Sequence, residues 1–209
     1  MSGRRAGGNA AALALIAAAA FLLAGCASPT SVPSAGPSDD DSPVAEPTPR
    51  STPTAAEAVF RMPTACAEVL PAARVAHLES LGMELLAGPD GKYGDTYFAD
   101  PTPEQLAGGI TCLWGEENVP ENSVIVSVAP LDATTRGATI QALVEQGLNE
   151  RVDGEDFVYE RTGDDVAAPA IVNVIADDSW VSVIEGSGGQ DHYEEAVAIC
   201  DEVAEQVGA

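Results

Sequence analysis

The chain has 209 residues, with 33 Asp and Glu against nine Lys and Arg, and a formal net charge of −24 at neutral pH. So acidic a chain is repelled by nucleic acid and by anionic lipid headgroups, which excludes both as electrostatic partners. Hydrophobic residues make up 45% of it, enough for a real core. Its composition changes near residue 59, and the remainder has a length that fits one domain rather than two.

Arg4 and Arg5 open the chain, an apolar run from about Ala10 to Leu23 follows, and Leu23-Ala24-Gly25-Cys26 closes the segment. The run falls short of the roughly 20 apolar residues a helix needs to cross a bilayer, so the order of charge, grease and small residues marks a secretory signal. Leu23-Ala24-Gly25-Cys26 resembles the lipobox of a bacterial lipoprotein signal peptide. That resemblance implies a diacylglyceryl group on the Cys26 thiol and removal of residues 1–25. The membrane is then a partner through the Cys26 lipid, since two acyl chains at about 0.8 kcal/mol per buried CH₂ hold a protein at a surface almost permanently. The expected location is the extracytoplasmic face of the cell membrane. Loss of the signal removes two Arg and no acid, leaving seven Lys and Arg against 33 Asp and Glu.

Residues 26–58 are mostly Ser, Thr, Pro, Ala, Gly and Asp, including Asp39-Asp40-Asp41 and Pro47-Thr48-Pro49. With few large apolar side chains to bury, such a stretch cannot offset its ordering entropy and reads as a disordered stalk. Its root-mean-square span of roughly 30 Å would lift residues 59–209 off the membrane.

Within that domain, Leu70-Pro71 opens a helical pattern with Val75, Leu78 and Leu81 on one face and Gly82 as its stop. Residues 87–109 read as a long polar connection. Ile110 to Trp114 and Ser123 to Ala129 read as strands, the second with Val124, Val126 and Val128 on one face and Ile125 and Ser127 on the other. Asp132 is placed to cap a helix reaching Leu148, with Ile140, Leu143 and Val144 inward. Strands follow over Phe157 to Arg161, Ala170 to Ala176 and Trp180 to Glu185, the last two joined tightly at Asp177-Asp178. Asp191 and Glu194 have the spacing of a capping box for a final helix that carries Ala196, Ile199, Cys200, Val203 and Val207 on one face and ends at Gly208. The order predicts a single α+β domain, an antiparallel sheet of about five strands with helices packed on one face.

Cys66, Cys112 and Cys200 remain after Cys26. Outside the membrane thiols oxidise, so one disulfide and one leftover thiol are expected. Loop entropy does not choose the pair, because closing 66–112 and 66–200 differ by only about 1 kcal/mol. Cys66 just before a Leu-Pro helix start, with Cys112-Leu113-Trp114 opening a strand after Gly108-Gly109, resembles a group of actinobacterial lipoproteins known only as a domain of unknown function. The resemblance covers roughly residues 62 to 130 and implies a Cys66–Cys112 disulfide. Cys200 departs from the two-cysteine pattern, which leaves 66–200 open at this stage. Its position on an apolar helix face favours a buried free thiol.

No catalytic constellation stands out. Ser187, in Glu185-Gly186-Ser187-Gly188-Gly189, lacks the glycine two positions earlier that a nucleophile elbow needs, and reads as a turn. His77 and His192 have no companion at metal-ligand spacing. The acidic groups at 153–156, 164–165 and 177–178 lack the alternating ligands of a calcium loop and read as solvated turns. No cofactor or metal is expected. Tyr93, Tyr97 and Phe98, with Lys92 between glycines, place three aromatics in a connection longer than compact domains usually keep. They are the possible binding loop, against the alternative that Tyr97 and Phe98 fold back to cap the core. Trp114 and Trp180 are expected to pack in the core. The functional expectation is a non-enzymatic lipoprotein binding a protein, a wall polymer or a small molecule. An accessory subunit of a cell-envelope membrane complex comes next, and a cell-wall hydrolase third.

Overall fold

The computed structural model describes residues 59–154, 156–164 and 167–209. The expectations for the signal, for Cys26 and for the stalk lie outside these residues. The chain enters beside its own end, where the Arg61 amide donates to the Val207 carbonyl at 2.8 Å. A short 3-10 turn over Cys66–Glu68 leads to α1, Ala72–Ser80, with Pro71 at its N-cap. Leu78 is buried on α1, whereas Leu81 lies past its end and is exposed. Gly82, at φ 84°, turns the chain as its sequence position implies.

Seven strands follow, all paired antiparallel in one sheet: β1 Glu84–Ala87, β2 Ile110–Glu116, β3 Val119–Pro130, β4 Asn149–Asp153, β5 Asp156–Arg161, β6 Ile171–Ile175 and β7 Ser179–Glu185. Their order across the sheet is β1-β2-β3-β7-β6-β5-β4. Two meanders thus meet at the β3–β7 pair in the centre. Between them, α3 (Arg136–Glu145) carries the chain to the far edge, a lateral distance of about 19 Å at the usual strand spacing. The fold is α+β and single-domain as expected, but the sheet has seven strands rather than five.

The two extra strands are the edges. β1 is four residues without alternation, and β4 is Asn-Glu-Arg-Val-Asp with no buried residue. β4 packs neither face and leaves no hydrophobic period to read, its charge a familiar guard for an edge strand, whereas β1 buries Leu86 and Ala87 but is too short to show a period.

Helices also lie on both faces instead of one. The final helix, α4 (Gln190–Val207), covers one face with Ala196, Ile199, Cys200, Val203 and Val207, against Val126, Val172 and Val183 of the sheet. Each fully buried Val or Ile there contributes about 1.5–3 kcal/mol. Opposite, α3 sets Leu143 and Ile140 over Trp180, Ile175 and Tyr159. Val144 faces solvent, correcting its inward assignment. The β3 alternation comes out as read, with Val124, Val126 and Val128 toward α4.

Two caps differ from expectation. Asp132 sits in a turn four residues before α3, its Oδ1 accepting from the Thr134 and Thr135 amides at 2.7 and 3.0 Å. Gly189 is the N-cap of α4, so Asp191 falls inside the first turn and the capping box does not form. The helix starts two residues too early for Asp191 to be its N-cap.

Candidate binding groove

After β1 the chain reaches Gly88, at φ 100°, where a Cβ would lie 2.5 Å from the Thr111 carbonyl and 2.7 Å from the Cys66 sulfur. Only glycine lets the backbone pass this close to β2. Cys66 and Cys112 are joined in a disulfide at this point, and Cys200 is a buried free thiol. Burial pushes the Cys200 thiol well above its ordinary pKa.

The segment that follows is held by its backbone. The Lys92 and Tyr93 amides donate to the Leu85 and Leu86 carbonyls at 3.0 and 2.8 Å, and Gly91 and Gly94 close successive turns. Its side chains are pinned as well. Glu117, at the tip of the β2–β3 hairpin beside Asn118 (φ 66°), accepts from Lys92 Nζ at 2.9 Å and from the Tyr93 hydroxyl. Lys92 also reaches Glu84 at 3.1 Å and lies 5.6 Å from the centre of the Tyr93 ring. The Tyr93 hydroxyl, then Lys92, hold the Glu117 carboxyl below its ordinary pKa, and the same bond raises that of Tyr93.

The three aromatics of the sequence reading converge. Tyr93 and Tyr97 stack with centroids 5.6 Å apart, and Phe98 meets Tyr97 edge-on at 5.8 Å. They part company in burial. Phe98 packs on Leu86, Leu113 and Ile125 of the sheet, whereas Tyr93 is 40% and Tyr97 49% exposed. Between this aromatic arm and the hairpin lies a groove of about 460 Å³, its apolar lining made by Leu86, Tyr97, Phe98, Leu113, Val119 and Ile125. Glu116 and Glu117 stand at its edge. Behind Phe98 a second, larger hollow of about 810 Å³ is lined by Met62, Thr96 and Ile110 among others.

Next to the groove the same sheet face carries a buried polar row. Thr102, at the head of the short helix α2 (Pro103–Leu106), reaches Thr111 at 2.7 Å, and Thr111 reaches Ser127 at 2.9 Å. Glu104 is buried beside Thr102 and Ser182, and burial raises its pKa. Further along, Trp180 Nε1 donates to Asn173 at 2.9 Å. These mutual bonds satisfy groups that would otherwise cost free energy to bury. Trp114 and Trp180 are both core residues.

On the α4 face, Arg74 forks onto Glu202 through two bonds of 2.7 Å and also pairs with Glu195. Glu185 is buried beneath them, 3.7 Å from His192 Nδ1. Burial, then the charge of Glu195, push its pKa up to about 7, with Arg74 opposing. Sequence reading missed this cluster, whose members come from α1, β7 and α4.

Ser187 donates to the Glu121 carbonyl at 3.0 Å. His77 is exposed on α1. Among the described residues no three His, Cys, Asp or Glu are gathered so as to hold a metal ion. Nor is any helix among them long and apolar enough to cross a membrane. Glu117 and the wall residues Leu86, Leu113 and Ile125 were not foreseen, because each belongs to a different strand or turn from the aromatic segment. Comparison with protein-family models, with curated proteins and with solved structures finds no match to this chain.

Proposed function

We propose that this chain is a lipid-anchored, extracytoplasmic binding protein that takes its partner in the groove beside Tyr93 and Tyr97. The observation that carries the reading is that two stacked tyrosines are kept half exposed over an apolar floor by a segment already fixed through Glu117, Lys92 and the disulfide end of β2. Aromatic side chains held rigidly at a surface lose little further freedom when a partner covers them. The lipid on Cys26 supplies the tether and the stalk supplies the reach.

Two measurements test the proposal. Cys26→Ala should leave unprocessed precursor or move the protein out of the detergent-soluble membrane fraction. A variant that matures and partitions like wild type removes the anchor from the reading. Photo-crosslinking in intact cells from position 97 should give a defined product that is absent when the crosslinker is placed at position 144, on the far side of α3. Identical patterns from both positions would sink the groove as the site.

A further inference from the structure

We propose that the groove's partner is a basic, extended protein segment in which an apolar side chain is flanked by Lys or Arg. This rests on the groove reading above and names the chemistry of its occupant. The floor of Leu86, Leu113 and Ile125, closed by Phe98, is apolar and about 460 Å³ in volume, room for a few side chains and not for a folded surface. What surrounds it is acidic. The two segments that form its walls, residues 84–100 and 115–122, carry seven carboxylates against one lysine.

That lysine presents no free positive charge, since Lys92 Nζ is already bonded to Glu84 and Glu117. The rest of the domain reinforces the sign, with six Lys and Arg against 28 Asp and Glu from Val59 onward. Of those six, Arg74, Arg136 and Arg151 are likewise in ion pairs. An anionic ligand would meet repulsion throughout. A neutral ligand such as a glycan could stack on Tyr97, but it would strip water from Glu116, which accepts from the Asn122 amide at 3.1 Å, without returning a charge, and an ionised carboxylate is expensive to desolvate without a cation. A cation flanking an apolar anchor offsets that loss. The Lys92 ammonium on the Tyr93 ring is an internal instance of the same pairing of cation, ring and carboxylate.

The experiment uses the full chain in detergent and three probes: a short blocked peptide of alternating Lys and Leu, its Glu and Leu counterpart, and an oligomer of N-acetylglucosamine. The Lys-Leu peptide should bind in calorimetry, weaken at least roughly tenfold in Tyr97→Ala, and weaken as salt rises through a Debye length of about 10 Å. Glu116→Gln should weaken it, while Asp201→Asn, an exposed acid on α4, should not. Tyr97→Phe keeps the ring and should bind like wild type, which separates recognition from misfolding.

Equal losses from Glu116→Gln and Asp201→Asn would overturn the proposal in favour of diffuse attraction. So would equal binding of the Glu-Leu peptide. Tyr97-dependent binding of the glycan with no binding of the Lys-Leu peptide would overturn the basic segment and leave the groove standing. Failure of both probes to depend on Tyr97 would sink groove and segment together.

Discussion

Breaking the Cys66–Cys112 crosslink is the largest single loss of stability the fold predicts. The two cysteines are 46 residues apart and both are fully buried. Chain entropy for a loop of that length gives about 4 kcal/mol, through the freedom the unfolded chain regains when the bond is cut. The Cys66 sulfur also fills the space opposite Gly88, so truncation removes packing as well. For a domain of about 150 residues, 4 kcal/mol corresponds to a fall in Tm of roughly 8 to 16 °C. The assay is thermal unfolding of Cys66→Ala/Cys112→Ala followed by circular dichroism, beside wild type in a strong thiol reductant. Both should melt early and close together. A double variant melting within about 3 °C of wild type would refute the reasoning, because it would mean that the sheet holds residues 66 and 112 together without help.

Glu185 makes the fold sensitive to pH. Its folded pKa of about 7 lies above the ordinary 4.5, so its contribution is fully present below about pH 4.5 and is lost as pH rises through 7, on the order of 3 kcal/mol in all. Glu185→Gln should therefore melt above wild type near pH 8 and level with it at pH 4.5 and below; matching curves at both ends would show that the carboxyl is solvated. The aromatic arm should divide in stability: Phe98→Ala, losing contacts with Leu86 and Leu113, costs about 2 kcal/mol, while Tyr97→Ala moves Tm by only a degree or two. Equal shifts in differential scanning fluorimetry would place Tyr97 in the core. Cys200 should resist iodoacetamide in the native protein and react fully in denaturant, as mass spectrometry will register, since it is buried and its thiolate is disfavoured. Rapid native labelling would show that α4 opens readily from the sheet.

Much of this architecture is legible in the sequence because burial imposes a period. The α4 face from Ala196 to Val207 and the alternation of Val124, Val126 and Val128 are set by which residues must leave water, and both come out as read. Gly82 and Gly208 mark helix ends because only glycine takes a positive φ without strain. The pairing of Cys66 with Cys112 needed more than spacing, since loop entropy alone does not separate it from the rival pair. What only the tertiary structure decided is what comes together across the sheet. Edge strand β4 carries no hydrophobic alternation because it buries no residue, and β1, although Leu86 and Ala87 are buried, is only four residues long and shows no period. The helices divide between two faces because α3 must travel from the central strand to the far edge and covers Trp180 on the way. Likewise the sequence supplies Tyr93, Tyr97 and Phe98, but their opposite wall comes from Leu113, Glu117 and Ile125. Those residues meet the aromatics only through the register of β1, β2 and β3, a long-range relation that local periodicity does not encode.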